Sequence, residues 1–454
     1  MITDSQVALL RLGASEAAAA IREGRTTSRE LVESYLACIE EREKEVQAWA
    51  YLDPEYALQQ ARAADDARRR GQPTGALHGV PVGINDTIDT YDMPTEDGTV
   101  LHAGRRPHRD ATAVASLREA GAVILGKTAT SELAAGAPGK TRSPHDRTPG
   151  RSSSGSAAAV AARMVPLALG TQVNGSVICP ASYSDVIGYQ PTRGLISRTG
   201  ILRLSPTLDG VGVFAQKVED AALAAETLMT FDASDAAMRP RARPRLYEFV
   251  GTQLPFPPRF AFVPTSFWDQ AAPDTRAGFD ELTKLIEHQL LRVELPEPFA
   301  KAAELHRILL ETDLALAFRT EDESASRQLS PALVEMIERG RKELAVDYAR
   351  ALAAIPMLHS AVESVLHDAH AILTPASRGE APRQAAPMGD SIFCTIWTLC
   401  GMPCITVPLL RGEHGMPIGV QLVGARGDDA RLLQVAQWLM HRASGAPRRS
   451  RRFQ

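Results

Sequence analysis

The sequence predicts an α/β fold. Three observations carry that expectation. Helical and strand-like segments alternate between residues 54 and 128, an Ala-rich run joins two loops dense in glycine and serine, and short apolar runs near the C-terminus have the length of buried strands. In order along the chain, Thr27 followed three residues later by Glu30 forms a capping-box signature, and Leu31, Tyr35, Leu36 and Ile39 continue it at helical spacing. Residues 54–70 read as a helix stopped by Gly71, and residues 77–84 as a turn feeding a buried strand that delivers Asn85 to its end.

Residues 110–120 read as a helix ended by Gly121, and residues 122–125 as a short strand before Gly126, Lys127 and Thr128. Residues 150–156 and 170–176 flank an apolar stretch at 157–169 that reads as a helix and then a strand, so both serine-rich blocks fall on loops at element ends, where functional groups are concentrated. Residues 218–228 read as a helix, and the Pro- and Arg-rich residues 239–245 as a linker. Helices are expected at 274–289 and 343–370, and strands at 371–375, 404–408 and 419–423.

With 454 residues, 44% of them hydrophobic and 23% charged, the chain can bury a large core and is not of disordered composition. A net charge of −4 gives no broad basic field, which argues against a nucleic-acid partner. Arg448, Arg449, Arg451 and Arg452 cluster in a tail at 445–454 and are read as a solvated end. No apolar run reaches the ~18–20 residues needed to span a bilayer, which predicts no membrane partner. Five cysteines without a CxxC pair, and a start lacking a basic and then apolar pattern, predict a cytoplasmic protein with reduced thiols.

The serine blocks resemble the signature of the amidase signature family, and the resemblance runs from about Leu31 to Leu439 without a composition break, favouring one domain over residues 1–454. Within it, the core signature covers about 77–230, a pocket-shaping helical region about 260–370, and a return to the sheet 371–440. The resemblance implies an α/β/α sandwich around a large mixed sheet. It also implies a relay of a Lys, a Ser in a cis peptide and a nucleophilic Ser, with Ser152 and Ser176 on the two serine positions. The family Lys follows a Gly-Val-Pro-Val motif. Here Gly79, Val80, Pro81, Val82, Gly83 and Ile84 lead to Asn85. A carboxamide has no basic lone pair near neutral pH, so Asn85 can position its neighbours and cannot take a proton.

By the same resemblance, the backbone amides of Val173, Asn174, Gly175 and Ser176 form an oxyanion hole, and Ser153, Cys179 and Asp185 border the substrate pocket. Ser152 also reads as a helix cap. Asn174 stands where relatives usually have Gly, a substitution that tolerates a left-handed backbone and projects a side chain into the hole. Cys179 stands where many relatives have Arg, and is read as a buried apolar thiol. Asp185 and Gln190 replace a Gly and a Lys; Asp185 is read first as a surface or cap residue, and is the acid to test if a substitute base exists. Asp86 is read as structural, and Lys127 as a family Lys distinct from the catalytic one. His145 and Asp146 are read as loop residues. His367, Asp368 and His370 are read as an exposed helical face, so no metal and no cofactor are expected.

Two functions remain open at this point: a serine amidase acting on a small neutral amide or acyl compound with activity altered or lost, or a non-hydrolytic relative that binds, assembles or catalyses another reaction. A single Lys-to-Asn change that traps substrate accounts for Asn85 alone. A homodimer, or a small partner subunit of the kind used in the amidotransferase branch of the family, are the assembly alternatives.

Overall fold

A computed structural model describes residues 2–318, 327–383 and 390–445. The basic cluster Arg448, Arg449, Arg451 and Arg452 lies outside the described residues. The strands are β1 (Trp49–Leu52), β2 (Pro81–Asn85), β3 (Val123–Thr128), β4 (Leu167–Gln172), β5 (Ile187–Gln190), β6 (Gly210–Ala215), β7 (Phe260–Phe262), β8 (Leu290–Arg292), β9 (Ala371–Pro375), β10 (Cys404–Arg411) and β11 (Pro417–Val423). They form one 11-stranded sheet in the order β1-β3-β2-β4-β6-β5-β10-β11-β9-β7-β8. It is mixed: β3-β2-β4 and β9-β7-β8 run parallel, and the other neighbouring pairs antiparallel.

Alternation along the strands divides the apolar side chains between two cores. Ala371 and Leu373 of β9 and Phe260 and Phe262 of β7 enter one, with Leu31 and Tyr35 of the helix Ser28–Val46 and Leu432 and Leu433 of the helix Asp429–Ser444. Ile372 and Ala261 enter the other, with Leu309 and Leu314 of the helix Ala302–Ala317 and Phe393 and Trp397 of the helix Ile392–Cys400. Helices therefore cover both faces of the sheet, as the α/β/α expectation requires.

Local signals explain several element boundaries. Thr27 Oγ1 accepts the Glu30 amide at 3.1 Å while the Glu30 carboxylate accepts the Thr27 amide at 3.0 Å, closing both halves of the capping box. The helix Pro54–Arg69 starts on the Asp53 cap with proline in its first turn. Two strands run longer than the sequence suggests. β3 continues through Gly126, Lys127 and Thr128 because these residues pair with β1 on one side and β2 on the other. β10 continues past Pro408 because the register shifts between Pro408 and Leu410, a bulge that accommodates a residue without an N–H. Among the described residues no helix is long and apolar enough to cross a membrane.

Candidate active site

β2 and β4 are parallel neighbours with Ile84 opposite Leu169, so their ends, Asn85 and Gln172, reach the same edge of the sheet. The loop after β4 carries Val173 to Ser176, and the helix Ser154–Ala161 begins beside them. A hydrogen-bond chain ties these segments together. The carbonyl of Ala129, just past β3, accepts the Gly155 amide at 3.0 Å and, in a long 3.5 Å contact, Asn85 Nδ2. Asn85 Oδ1 accepts the Thr87 hydroxyl at 2.7 Å and its amide at 3.3 Å. Thr87 spends its hydroxyl proton on Asn85, so at the 3.2 Å contact between Thr87 Oγ1 and Thr171 Oγ1 the proton comes from Thr171. Asn85 is fully buried and acts here as a hydrogen-bonding link.

The adjacent serines separate into different roles. The helix cap is Ser153, not Ser152, because the helix starts at Ser154. Ser153 is fully buried, its Oγ donates to Thr171 O at 2.9 Å and accepts the Thr171 amide at 3.1 Å. The Ser153 hydroxyl thus both donates to and accepts from the backbone of β4. Ser156 is likewise occupied, by Leu169 O and Thr128 Oγ1, each at 2.7 Å. The hydroxyls of Ser152 and Ser176 make no hydrogen bond with a described residue, although both residues are buried. Every peptide among the described residues is trans, so Ser152 does not show the cis bond that the family resemblance implies.

In the loop after β4 three consecutive carbonyls are tied. Val173 O accepts His306 Nε2 at 2.9 Å, Asn174 O accepts the Thr398 hydroxyl, and Gly175 O accepts the Cys179 amide at 2.9 Å. In a trans peptide the N–H of the next residue points opposite to the carbonyl, so each tie also fixes the direction of the amides of Asn174, Gly175 and Ser176. Those three amides donate to no described residue. The next two, of Val177 and Ile178, are taken by Gln172 Oε1 at 2.9 and 3.3 Å.

Asn174 is not left-handed, and its Oδ1 accepts Thr395 Oγ1 at 3.0 Å, which directs the side chain to the helix Ile392–Cys400. Gly175 lies beneath the same helix: a Cβ there would meet Ser391 Cβ at 2.5 Å and Cys394 Sγ at 2.9 Å, so only glycine fits.

The remaining sequence candidates fall around this centre in other roles. Cys179 is fully buried with Tyr183 and Ala381, and burial pushes its thiol up to about 12, so it packs and does not attack. Asp185 is the left-handed C-cap of the helix Ile178–Ser184, at φ 62°, and pairs with Arg411 at 2.7 Å. The backbone conformation explains why a Gly suits this position, and the ion pair employs the carboxylate. His145 faces that pair. Lys127 is fully buried and donates to Ile88 O at 2.8 Å, Pro94 O at 3.4 Å and Thr95 Oγ1 at 2.5 Å, with Asp86 at 3.7 Å. Burial outweighs their pairing for both, lowering Lys127 to about 8 and raising Asp86 to about 6. Among the described residues no three His, Cys, Asp or Glu side chains come together as a metal-ligand set.

Two residues near the serines escaped sequence reasoning. His306 is buried, and burial lowers it to about 4, so it is neutral near pH 7 and donates Nε2–H to Val173 O. Arg151, directly before Ser152, is half-buried and acts electrostatically on Cys179, His306 and Cys394. It makes no hydrogen bond or ion pair with a described residue. Its position beside the serine motif was the signal available in the sequence.

The comparisons agree with this architecture. Residues 30–433 match the Amidase family model. The A subunit of the glutamyl-tRNA(Gln) amidotransferase of Chloroflexus aggregans is 32% identical over 93% of this chain and 95% of its own. A structure described as revealing the evolutionary origins of an s-triazine catabolic enzyme through a vestigial protein complex superposes with a TM-score of 0.88 at 27% identity, covering 97% of this chain and all of that one. The native peptide amidase of Stenotrophomonas maltophilia superposes with a TM-score of 0.83 at 28% identity, covering 96% and 98%. With the sheet, the serine loops and these relatives in agreement, the chain belongs to the Amidase family.

Proposed function

We propose that this amidase-family chain acts on a small neutral amide or related acyl compound through Ser176, and that its turnover is low because position 85 carries no base. The observation that carries the reading is the run of three tied carbonyls, which leaves the amides of Asn174, Gly175 and Ser176 without partners among the described residues beside the Ser176 hydroxyl. Such donors stabilise the oxyanion that forms when a serine oxygen adds to an amide carbonyl, and Arg151 adds a fixed positive charge nearby. On this reading Ser176 bonds to the acyl carbon and its proton passes to Ser152, whose own proton must reach the amine as the C–N bond breaks; water then adds to the acyl carbon, releasing the acid and returning a proton to Ser176. A lysine amine would carry that proton from Ser152 to the leaving amine, and Asn85 cannot. A missing general base costs about 10²–10⁴ in rate.

A second reading, that the chain binds or assembles and does not hydrolyse, draws support from Asn85 and from relatives described as belonging to an amidotransferase and to a vestigial protein complex. On it a small partner subunit, or a second copy, completes the assembly. The five cysteines, all buried and unpaired, suit a reducing cytoplasmic setting under either reading. Ser176→Ala separates the two. Loss of amide turnover with the fold retained supports the enzyme, whereas unchanged ligand affinity with no turnover in either form supports the binding protein.

A further inference from the structure

Away from the serine loop, a cavity of about 410 Å³ opens between the segment after β5 and the loop before the C-terminal helix. Arg193, Arg198, Arg203 and Arg426 line it, with Asp209 and Asp235. The carboxylates are already engaged. Asp235 holds Arg198 at 2.6 Å, and Asp209 accepts the amides of Leu204 and Ser205, each at 3.0 Å. Burial pushes Asp209 up to about 7, which further reduces its negative charge near neutral pH. Among the described residues, three guanidiniums therefore share the cavity without a carboxylate of their own.

Arg193 is anchored for this task. Its amide donates to Gly401 O at 3.3 Å and its guanidinium to Thr207 O, and a Cβ at Gly401, which has φ 66°, would approach Arg193 Cζ to 3.1 Å. Glycine at that helix end leaves room for the guanidinium. Burial, with Arg426 and Arg198 nearby, lowers Arg193 to about 10, so like charges are held together at a cost. Arg203 and Arg426 are exposed at the rim and make no hydrogen bond or ion pair with a described residue. Converging guanidiniums with free N–H groups match the oxygens of a doubly charged tetrahedral anion, and the cavity has the size of a small-molecule site.

We propose that this cavity binds a phosphate group, either as free phosphate or as the phosphate monoester of a small molecule, at a site separate from the serine loop. The proposal does not depend on the amidase reading. The test is calorimetric titration of the full chain with inorganic phosphate and, separately, ribose 5-phosphate, at fixed ionic strength with chloride as the balancing anion. Arg203→Gln/Arg426→Gln serves as the variant and Arg62→Gln, on an exposed helical face elsewhere, as the control. Saturable binding is expected, weakened at least about 100-fold in the double variant and unchanged in the control. Tighter binding of ribose 5-phosphate identifies an ester as the ligand, and equal or weaker binding identifies free phosphate. Absence of saturable binding, or equal affinity in the double variant, overturns the proposal.

Discussion

Asn85 stands where the family resemblance implies a Lys, and its surroundings show what the carboxamide does in this chain. Its carboxamide joins Thr87 to the Ala129 carbonyl, holding β2 beside the helix entry that bears Ser152. Lysine at the same strand end would bring an amine into a buried pocket, where desolvation favours the neutral, proton-accepting form. The serine motif placed Ser152 and Ser176 correctly on loops at strand and helix ends, but it could not separate Ser152 from Ser153. That distinction depends on which hydroxyl meets Thr171, 18 residues further along the chain. Asp185 shows a similar limit. Its acid character is plain in the sequence, while its left-handed backbone and its partner Arg411, 226 residues away, are not.

The loop after β4 is shaped by two helices that sequence analysis did not delimit. The helix Ala302–Ala317 supplies His306, and the helix Ile392–Cys400 supplies Thr395 and Thr398. Neither carries a motif, and the contacts span 133 to 224 residues, so local spacing holds no trace of them. His306 gives this arrangement a pH signature. It is held neutral in the fold at about 4 against an ordinary value near 6.5. The unfolded chain therefore binds a proton that the folded chain refuses as pH falls from 6.5 to 4, and stability drops over that window by about 3 kcal/mol. Asp86 and Asp209, raised to about 6 and 7, act in the opposite direction by taking protons first in the fold. Denaturation midpoints of the unmodified chain and His306→Gln, measured at pH 7, 5.5 and 4, isolate the histidine. The variant is expected to lose stability less steeply, and parallel slopes would exclude His306 as the group responsible.

Across the molecule, alternation of helix and strand signals was enough to read the class of fold, and the apolar runs at β9, β10 and β11 were read as strands from composition. The order of the eleven strands was not readable, because β7 and β8 have three residues each and owe their pairing to neighbours far along the chain. One buried contact fastens the C-terminal helix to the middle of that sheet. Asp429, at the start of the helix Asp429–Ser444, accepts the Tyr189 hydroxyl at 2.6 Å and the amide and hydroxyl of Thr192 at 2.9 and 2.6 Å. An acid at a helix N-terminus also suits the helix dipole. Asp429→Ala strands three buried donors and is expected to cost about 3 kcal/mol in urea denaturation. A loss below about 0.5 kcal/mol, typical of a surface change, would refute the anchoring role.

The proposed function requires that this chain retain an amidase serine site and lack its base. The most direct measurement is release of ammonia or amine from a panel of small amides by the unmodified protein and by Asn85→Lys, side by side. The Lys form is expected to turn over at least about 100-fold faster on one or more of the amides. Equal rates in the two proteins, with the Lys form folded, would contradict the claim.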